Sequence, residues 1–318
     1  MTAIQTRDLT KRYGDVVALD GLDLTVREGE VFGFLGPNGA GKSTTINILL
    51  GLSTPTDGSG QVLGHDIESE SRAVRERIGL LPDRYEPYER LTAREHLEYA
   101  IAAKDTADDA DALLDRTGLA PEARDRVAGD YSKGMRQRLA LAMALVGEPD
   151  LLVLDEPSSG LDPAGIAEMR ELLREEAADG TTVFFSSHHL SEVEAVCDRV
   201  GILRAGRLTT VDTIEGLRER LQSESTVTLA VDSLPDIDLT ESPGVSSVTP
   251  TDSGLRVACT ASAKATVVRR VAEATTVRDV AIDDASLDDL FAALTAEADE
   301  PAPRRSEEGD SQRREVDA

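Results

Sequence analysis

Short apolar runs separate longer amphipathic stretches over residues 30–185. Such runs are typical of strands buried on both faces, and here they span residues 31–35, 78–82, 151–154 and 181–185. Apolar positions at helical spacing lie between the runs, and they predict helices over residues 45–50, 93–103, 111–117 and 166–177. Strands that alternate with helices indicate an α/β domain with a largely parallel sheet.

Two regions of this domain depart from the strand–helix alternation. Leu22, Leu24 and Val26 alternate with polar residues, which predicts one half-buried strand in a short β-rich subdomain over residues 1–30. Residues 92–147 are predicted to be mostly helical. A further helix with one buried face is predicted there from the apolar positions Leu139, Leu141, Ala142 and Leu145.

The pattern changes near residues 215–225. Strands are predicted over residues 227–231, 255–259 and 277–282, and helices over residues 263–274 and 287–294. They indicate a small α+β domain without a recognisable motif. The last residues are charged, include Pro301 and Pro303, and are predicted to be disordered. The expected division is therefore 1–218, 225–297 and a tail over 298–318.

The charge balance narrows the function classes. The 318-residue chain has a formal net charge of −26, and its only lysines are Lys11, Lys42, Lys104, Lys133 and Lys264. A strongly acidic surface poor in lysine is typical of a protein kept soluble in a salty cytoplasm, as in a halophile; a GC-rich genome, which favours arginine codons, is the alternative. Either origin argues against nucleic-acid binding, which needs a basic face.

Hydropathy and cysteine content predict a chain that is soluble on its own. No apolar run approaches the ~18–20 residues of a membrane helix, and the N-terminus carries no signal peptide. The only cysteines, Cys197 and Cys259, are far apart in the sequence and lack metal-ligand spacing. Their number suits a reducing cytoplasm and argues against a disulfide or a zinc site.

A glycine-rich segment between the first apolar run and its helix fits the phosphate-loop pattern G-x-x-x-x-G-K-[ST]. Its residues are Gly36, Pro37, Asn38, Gly39, Ala40, Gly41, Lys42, Ser43 and Thr44. In this setting backbone N–H groups and the helix N-terminus form an anion cradle. Lys42 would reach the β- and γ-phosphates, and the Ser43 hydroxyl would hold Mg²⁺. The alternative is a turn that binds nothing.

Two acids, Asp155 and Glu156, follow the apolar run at 151–154. This places both carboxylates at the carboxyl edge of the predicted parallel sheet, where ligands bind. Asp155 would hold Mg²⁺ through water, and Glu156 would polarise the attacking water as a general base. The alternative is a pair of acids that simply leave a strand.

The segment Tyr131–Leu139 has the composition of a helix start. Ser132 is placed to cap the helix, and Gly134 would let a phosphate approach its first turn. On physical grounds alone, an ordinary helix start is the favoured explanation of these residues.

The order of these motifs resembles the ATP-binding subunit of ABC transporters, and the resemblance covers residues 1–218. The motifs are the phosphate loop, S-x-G-x-x-Q from Ser132, L-L-V-L-D-E-P ending at Pro157, S-G-L-D ending at Asp162 and S-S-H ending at His188. The resemblance implies an ABC-type P-loop NTPase fold, with ATP and Mg²⁺ as cofactors.

The resemblance also implies an assembly. Ser132 and Gly134 would belong to the signature motif, which binds the γ-phosphate of the nucleotide held by a second ATP-binding subunit. Two chains would then close head to tail around two ATP molecules. Asp162 would lie in the D-loop that lines this interface.

Three further residues near the nucleotide are interpreted through the same resemblance. His188 would be the switch histidine that contacts the γ-phosphate, whereas the adjacent His189 lies off the motif and is interpreted as structural. Without the resemblance, His188 would be an ordinary surface or core histidine. Tyr13 would stack on the adenine, and the alternative for Tyr13 is a core tyrosine.

Three positions, in two of the motif regions, depart from the family pattern. Asp83 stands where the family usually has Gln; a carboxylate can still bind Mg²⁺ or position water, but it cannot donate an amide hydrogen bond. Lys133 and Met135 stand where many members have Gly and Gln. Ser132 and Gly134, which would contact phosphate, are retained.

The sequence therefore predicts the ATP-hydrolysing subunit of an ABC exporter. Its partners would be a separate membrane permease, met by residues 84–92 through the permease's coupling helix, and a second copy, with no nucleic acid. The location would be cytoplasmic, on the inner face of the membrane.

Residues 285–295 are similar to the ending of subunits from drug, polysaccharide or sodium exporters. The rival functions are a soluble ABC ATPase of ribosomes or DNA repair, and an ATP-switched regulator that senses a ligand.

Overall fold

A computed structural model describes residues 1–221, 225–251 and 253–284. The predicted helix over 287–294, the predicted tail over 298–318 and the exporter-like segment over 285–295 lie outside the described residues. The domain boundaries that rest on them stay predictions.

The strands and helices of the described residues follow in chain order. The strands are β1 (Thr2–Tyr13), β2 (Val16–Leu22), β3 (Thr25–Arg27), β4 (Val31–Leu35), β5 (Asp57–Val62), β6 (His65–Asp66), β7 (Ile78–Leu81), β8 (Leu151–Asp155), β9 (Thr182–Ser187), β10 (Arg199–Arg204), β11 (Arg207–Thr213), β12 (Ser225–Val231), β13 (Val245–Thr251), β14 (Gly254–Cys259) and β15 (Val277–Asp284). The helices are α1 (Lys42–Leu49), α2 (Ser71–Glu76), α3 (Ala93–Lys104), α4 (Ala110–Arg116), α5 (Pro121–Arg124), α6 (Lys133–Leu145), α7 (Pro163–Ala178), α8 (Leu190–Val196), α9 (Ile214–Leu221) and α10 (Lys264–Ala274).

The central sheet has the strand order β11-β10-β4-β9-β8-β7. Neighbouring strands from β10 to β7 pair in parallel, and β11 is an antiparallel edge strand. The four predicted apolar runs all lie in this sheet, as β4, β7, β8 and β9. The prediction of a largely parallel sheet is confirmed.

Aromatic stacking fills one side of the central sheet. Phe32 and Phe34 of β4 face Phe184 of β9, with ring centroids 6.0 and 5.3 Å apart. All three side chains are fully buried. Strand β4 leads into the phosphate loop and β9 leads into the S-S-H motif. The aromatic packing between the two strands therefore fixes the positions of these two segments relative to each other.

The prediction of one strand through Leu22, Leu24 and Val26 is wrong in one respect. All three side chains are buried, but Leu22 ends β2 and Val26 lies in the separate strand β3. Both strands pair antiparallel with different parts of the long strand β1. The Thr6 hydroxyl joins them, because it donates to Leu22 O (2.7 Å) and accepts from Leu24 N (2.9 Å).

The helical region at residues 92–147 contains α3 to α6, as predicted, and α3, α4 and α6 begin at side-chain caps. Thr92 caps α3 in a reciprocal capping box with Glu95. The helix predicted from Leu139, Leu141, Ala142 and Leu145 is confirmed as α6, and all four side chains are buried, but burial extends beyond one face to Ala140 and Ala144. The helix is covered on several sides, since it packs against β7, α3 and α4.

Gly79 of β7 lies directly against the backbone of α6. A Cβ at this position would lie 1.9 Å from the carbonyl oxygen of Ala144. We expect Gly79→Ala to lower the free energy of unfolding by about 3 kcal/mol, because a helix backbone cannot yield as a side chain can. Urea denaturation measures the loss. Gly14→Asn is the control, since Gly14 has open space and asparagine tolerates its left-handed backbone (φ 57°); equal losses in both variants would contradict the packing explanation.

The described C-terminal residues form a separate four-stranded sheet with the order β13-β14-β12-β15. The strands pair antiparallel, and α10 packs against β12. Val227, Leu229, Val257, Val267 and Val271 are fully buried between them. The three strands and the helix predicted at 263–274 are confirmed, whereas β13 was missed because its serines and threonines hide any two-residue period.

Within the described ranges, no helix is both long enough and apolar enough to cross a membrane. Cys197 and Cys259 are buried thiols. Burial raises the pKa of the Cys197 thiol well above its ordinary value.

Candidate functional site

A cavity of about 470 Å³ lies at the carboxyl edge of the central sheet. The volume falls within the range of about 300–1,000 Å³ typical of ligand pockets. Predicted site residues that line it are Pro37, Asn38, Gly39, Gly41, Lys42, Ser43, Thr44, Asp83, Asp155, Glu156 and His188. Four strands therefore bring their following segments to one place, because the carboxyl ends of parallel strands share one edge.

The phosphate loop is a tight turn between β4 and α1. Gly39 (φ 81°) and Gly41 (φ 113°) adopt left-handed backbone conformations that favour glycine. A Cβ on Gly41 would also lie 2.7 Å from the Ala18 carbonyl oxygen. Since Gly41 has no side chain to cap the first turn of α1, the backbone N–H groups at that helix start are available to an anion.

Gly36 and Ala40 belong to the loop but do not line the cavity. Gly36 N donates to Ser187 O (3.2 Å), and a Cβ on Gly36 would lie 2.5 Å from Leu203 O. Ala40 is buried. These two residues hold the loop against the neighbouring segments.

Lys42 is buried and directs its ammonium group along the loop. Its Nζ donates to Gly36 O at 2.7 Å and lies 3.4 Å from Glu156 Oε1. The loop thereby places a positive charge beside the acid that follows β8. An ammonium group in this position can pair with a phosphate oxygen or with the carboxylate.

Asp155 and Glu156 leave β8 in different directions. Asp155 is buried and accepts a hydrogen bond from the Ser186 hydroxyl of β9. Glu156 has φ 52°, a left-handed conformation uncommon for a residue with a side chain. Its backbone N donates to Ser186 O (3.2 Å), which holds the turn that points the Glu156 side chain into the cavity.

The carboxylate of Glu156 joins the phosphate loop to the segment after β9. Glu156 Oε2 lies 2.8 Å from His188 Nδ1, while Oε1 faces Lys42. The three residues are separated by long stretches of sequence. Sequence reasoning missed the two contacts that Glu156 makes with Lys42 and His188, because no local sequence pattern signals them.

His189 lies next to His188 at the surface and not in the core. Its side chain is 57 % exposed, its ring centroid is 3.8 Å from that of His188, and its Nδ1 is 3.6 Å from Glu192 Oε1. Glu192 is buried and accepts hydrogen bonds from the hydroxyls of Ser158 (2.5 Å) and Ser187 (2.7 Å).

Three predicted site residues, Ser132, Gly134 and Asp162, do not line the cavity of their own chain. Ser132 caps α6, accepting from Met135 N (3.3 Å), as predicted. Asp162 caps α7, accepting from Gly165 N (2.9 Å). A Cβ on Gly134 would lie 3.0 Å from the Gly160 carbonyl oxygen, so the first turn of α6 packs against the loop before α7.

Two further hydrogen bonds tie α6 to the loop that follows Glu156. Gln137 Nε2 donates to Pro157 O (2.8 Å), and Lys133 Nζ donates to Ser159 Oγ (2.8 Å). Ser159 itself lines the cavity. The start of α6 therefore moves with the loop that carries Glu156.

Tyr13 lies at the turn between β1 and β2. It pairs with Val16, a cavity-lining residue, but does not line the cavity itself. Its side chain is 51 % exposed, and the Lys11 ammonium lies 4.9 Å from its ring centroid. The alternative of a core tyrosine is wrong.

Ser43, Asp83 and Asp155 offer oxygen ligands at the same cavity, where Asp83 is exposed beside Arg84. Hydroxyl and carboxylate oxygens are the ligands that Mg²⁺ prefers. This donor set fits the ion that the sequence implies.

Comparisons with known proteins agree with this geometry. The family described as ABC transporter matches residues 19–159. The chain is 42 % identical to the bacitracin transport ATP-binding protein BcrA of Bacillus licheniformis over 69 % of this chain and 72 % of that protein. It is 44 % identical to the daunorubicin resistance ATP-binding protein DrrA3 of Streptomyces coeruleorubidus over 70 % of this chain and 71 % of that protein.

Solved structures give the same result. An ATP-binding subunit of an ABC transporter superposes with a TM-score of 0.62 at 31 % identity, covering 69 % of this chain and 93 % of that one. A dimeric ATP-binding cassette in a post-hydrolysis state, bound to ADP and Pi, superposes with a TM-score of 0.62 at 25 % identity, covering 66 % and 98 %.

Proposed function

This chain belongs to the ABC transporter family and is an ATP-binding, ATP-hydrolysing subunit; from that premise we propose that it drives export through a separate membrane permease. The observation that supports the site assignment is the single cavity shared by the phosphate loop, the acids after β8 and His188. Relatives named for bacitracin transport, daunorubicin resistance and Nod factor export favour export over the ribosomal, DNA-repair and regulatory alternatives.

The phosphate loop and Lys42 bind the β- and γ-phosphates of ATP. The backbone N–H groups at the start of α1 supply donors, and Lys42 exchanges part of its contact with Glu156 for a phosphate oxygen. Ser43 and Asp155, with Asp83, would hold Mg²⁺, which would neutralise phosphate charge. Tyr13, at the rim beside Val16, stacks on the adenine.

Glu156 is the general base and His188 supports it. The carboxylate accepts a proton from the water that attacks the γ-phosphorus, while Lys42 and His188 flank it within 3.4 and 2.8 Å. The switch role of His188 is to contact the γ-phosphate when ATP is bound. Its contact with Glu156 then links the bound phosphate to the base.

A second copy of the chain completes each site. Ser132 and Gly134 do not line their own cavity, and we infer that they bind the γ-phosphate held by the partner copy. Asp162 lies at the same interface, where it fixes the start of α7. Because Lys133 bonds to the cavity-lining Ser159, each signature motif is tied to the nucleotide site of its own chain.

The permease would dock in a groove of about 920 Å³ whose lining includes residues 86–91. Exposed aromatic side chains, Tyr88 (70 %) and Tyr99 (68 %), lie in it, and such side chains dominate binding at protein interfaces. The His96 ring stacks on Tyr88 with 6.0 Å between centroids. We propose that the permease's coupling helix fills this groove and holds the subunit on the cytoplasmic face of the membrane.

We expect Tyr88→Glu to weaken retention of the permease by about thirtyfold, because truncating an interface aromatic costs about 2 kcal/mol or more. Affinity of the subunit for solubilised membranes measures this. Leu234→Glu, at an exposed apolar residue (58 %) in the segment that follows β12, is the control. Unchanged retention in Tyr88→Glu would remove the groove from the interface.

The experiment that tests the transport function is a pull-down of the full chain from detergent-solubilised membranes of its source, in high salt, with mass spectrometry. We expect a membrane protein with several spans to be recovered. Recovery of ribosomal or DNA-repair proteins alone would overturn transport and leave the ATPase assignment in place.

The acidic charge predicts a halophilic protein. Screening of a net charge of −26 relieves self-repulsion, since the Debye length falls from about 10 Å at 0.1 M salt to about 3 Å at 1 M. We expect Tm to rise between 0.1 M and 1 M salt, by about 2–4 °C for each kcal/mol gained in the free energy of unfolding. Calorimetry in KCl, with NaCl as the matched control, measures the rise. A Tm that stays flat in both salts would favour the genome-composition alternative.

A further inference from the structure

We propose that Glu156, His188 and His189 form a binding site for a divalent transition metal ion with zinc-like preferences, and that its occupation stops ATP hydrolysis. Each residue offers one ligand atom, and the three atoms lie within 4.8 Å of one another. The effect on hydrolysis rests on the proposed function of Glu156, whereas the binding of the ion does not.

The geometry is close to that of a coordinated ion. Tetrahedral ligands at zinc bond lengths of about 2.0–2.2 Å lie about 3.4 Å from one another. Glu156 Oε2 and His188 Nδ1 are 2.8 Å apart, and the two histidine rings lie 3.8 Å apart between centroids. His188 (40 % exposed) and His189 (57 % exposed) lie at the surface, where rotation of the rings closes the remaining distance.

A buried carboxylate lies beside the third ligand. Glu192 Oε1 lies 3.6 Å from His189 Nδ1, and hydroxyls from Ser158 and Ser187 hold the Glu192 carboxylate in place. Carboxylate groups behind histidine ligands fix the ring orientation and raise ligand basicity in many metal sites. At 3.6 Å the contact is longer than a hydrogen bond, so Glu192 would take this role only in the metal-bound arrangement of the His189 ring.

The ligand set selects the class of ion. Two imidazole nitrogens and one carboxylate oxygen suit Zn²⁺ and its neighbours in the first transition row, whereas Mg²⁺ takes oxygen ligands. The proposed Mg²⁺ ligands Ser43 and Asp155 are separate from the cluster. A bound Zn²⁺ would occupy the carboxylate of Glu156 and the ring of His188, so neither could take part in water attack.

The first test is metal binding without nucleotide. The full chain in metal-depleted buffer is titrated with Zn²⁺ by calorimetry and with Co²⁺ by visible absorption. We expect one equivalent to bind, and His189→Gln to weaken binding about tenfold or more. His65→Gln is the matched control, because His65 also faces a carboxylate, Glu70 Oε1 at 3.3 Å, but lies outside the cluster. Equal affinities in the wild type and His189→Gln would overturn the site.

The second test is ATP hydrolysis at buffered free Zn²⁺ with excess Mg²⁺–ATP. We expect His189→Gln to keep the metal-free rate and to need about tenfold more Zn²⁺ for half-inhibition. Equal inhibition of both proteins would overturn the inhibitory role. A chain that binds Zn²⁺ through His189 but never hydrolyses ATP would instead refute the proposed function and leave the metal site standing.

Discussion

Replacing Glu156 with glutamine is expected to slow ATP hydrolysis about 10²- to 10⁴-fold, the contribution of a general base. ATP binding should persist, because the phosphate loop and Lys42 are unchanged and the amide keeps the size of the carboxylate. The protein should then accumulate as an ATP-bound dimer, since hydrolysis is the step that opens it. Phosphate release gives the rate, and light scattering with Mg²⁺–ATP gives the dimer fraction.

The matched control for Glu156→Gln is Glu30→Gln. Glu30 is similarly buried and is paired with Arg199 (2.9 Å), but it lies outside the cavity. The control should lose stability and keep its turnover per folded molecule. Near-normal turnover in Glu156→Gln would remove Glu156 from the role of base.

Replacing Lys42 with methionine is expected to weaken ATP binding and to lower hydrolysis by about 10²- to 10³-fold, the effect of removing one charge-stabilising donor. Methionine has a similar length but no charge for the γ-phosphate. The variant also leaves the Glu156 carboxylate with His188 as its remaining close side-chain partner of this set, at 2.8 Å. Equilibrium binding of a fluorescent ATP analogue separates the affinity from the rate.

Lys104→Met controls for the loss of a partly buried lysine. Lys104 Nζ donates to Ile78 O (3.2 Å) and Val146 O (2.8 Å), far from any phosphate contact in our proposal. Burial lowers its pKa. This variant should lose stability and keep its ATP affinity. Wild-type ATP affinity in Lys42→Met would contradict the proposed role of Lys42.

Contiguous motifs were the part of the site that could be predicted. The phosphate loop, the acids after β8 and the cap at Ser132 each depend on a few neighbouring residues, whose backbone preferences are local. Gly39 and Gly41 adopt the left-handed conformations that the glycine pattern requires. The roles of these residues stay predictions until the variants above are measured.

The fold was predictable where periodicity was strong. The apolar runs in β4, β7, β8 and β9 were recognised because strands buried on both faces contain few polar residues. Strands such as β10, β11 and β13 were not predicted. The single strand expected through Leu22 to Val26 was wrong because β1 is long enough to pair with two separate strands, which no local pattern reveals.

The sequence by itself determined the family and the order of the motifs, since both are written in consecutive residues and their spacing. Only the tertiary structure decided that Glu156 lies between Lys42 and His188, that Lys133 reaches Ser159, and that His189 joins His188 at the cavity rim. These contacts join residues far apart in sequence or depend on the direction of a side chain. The path of the backbone through the parallel sheet determines these contacts and side-chain directions. Local propensity does not specify that path.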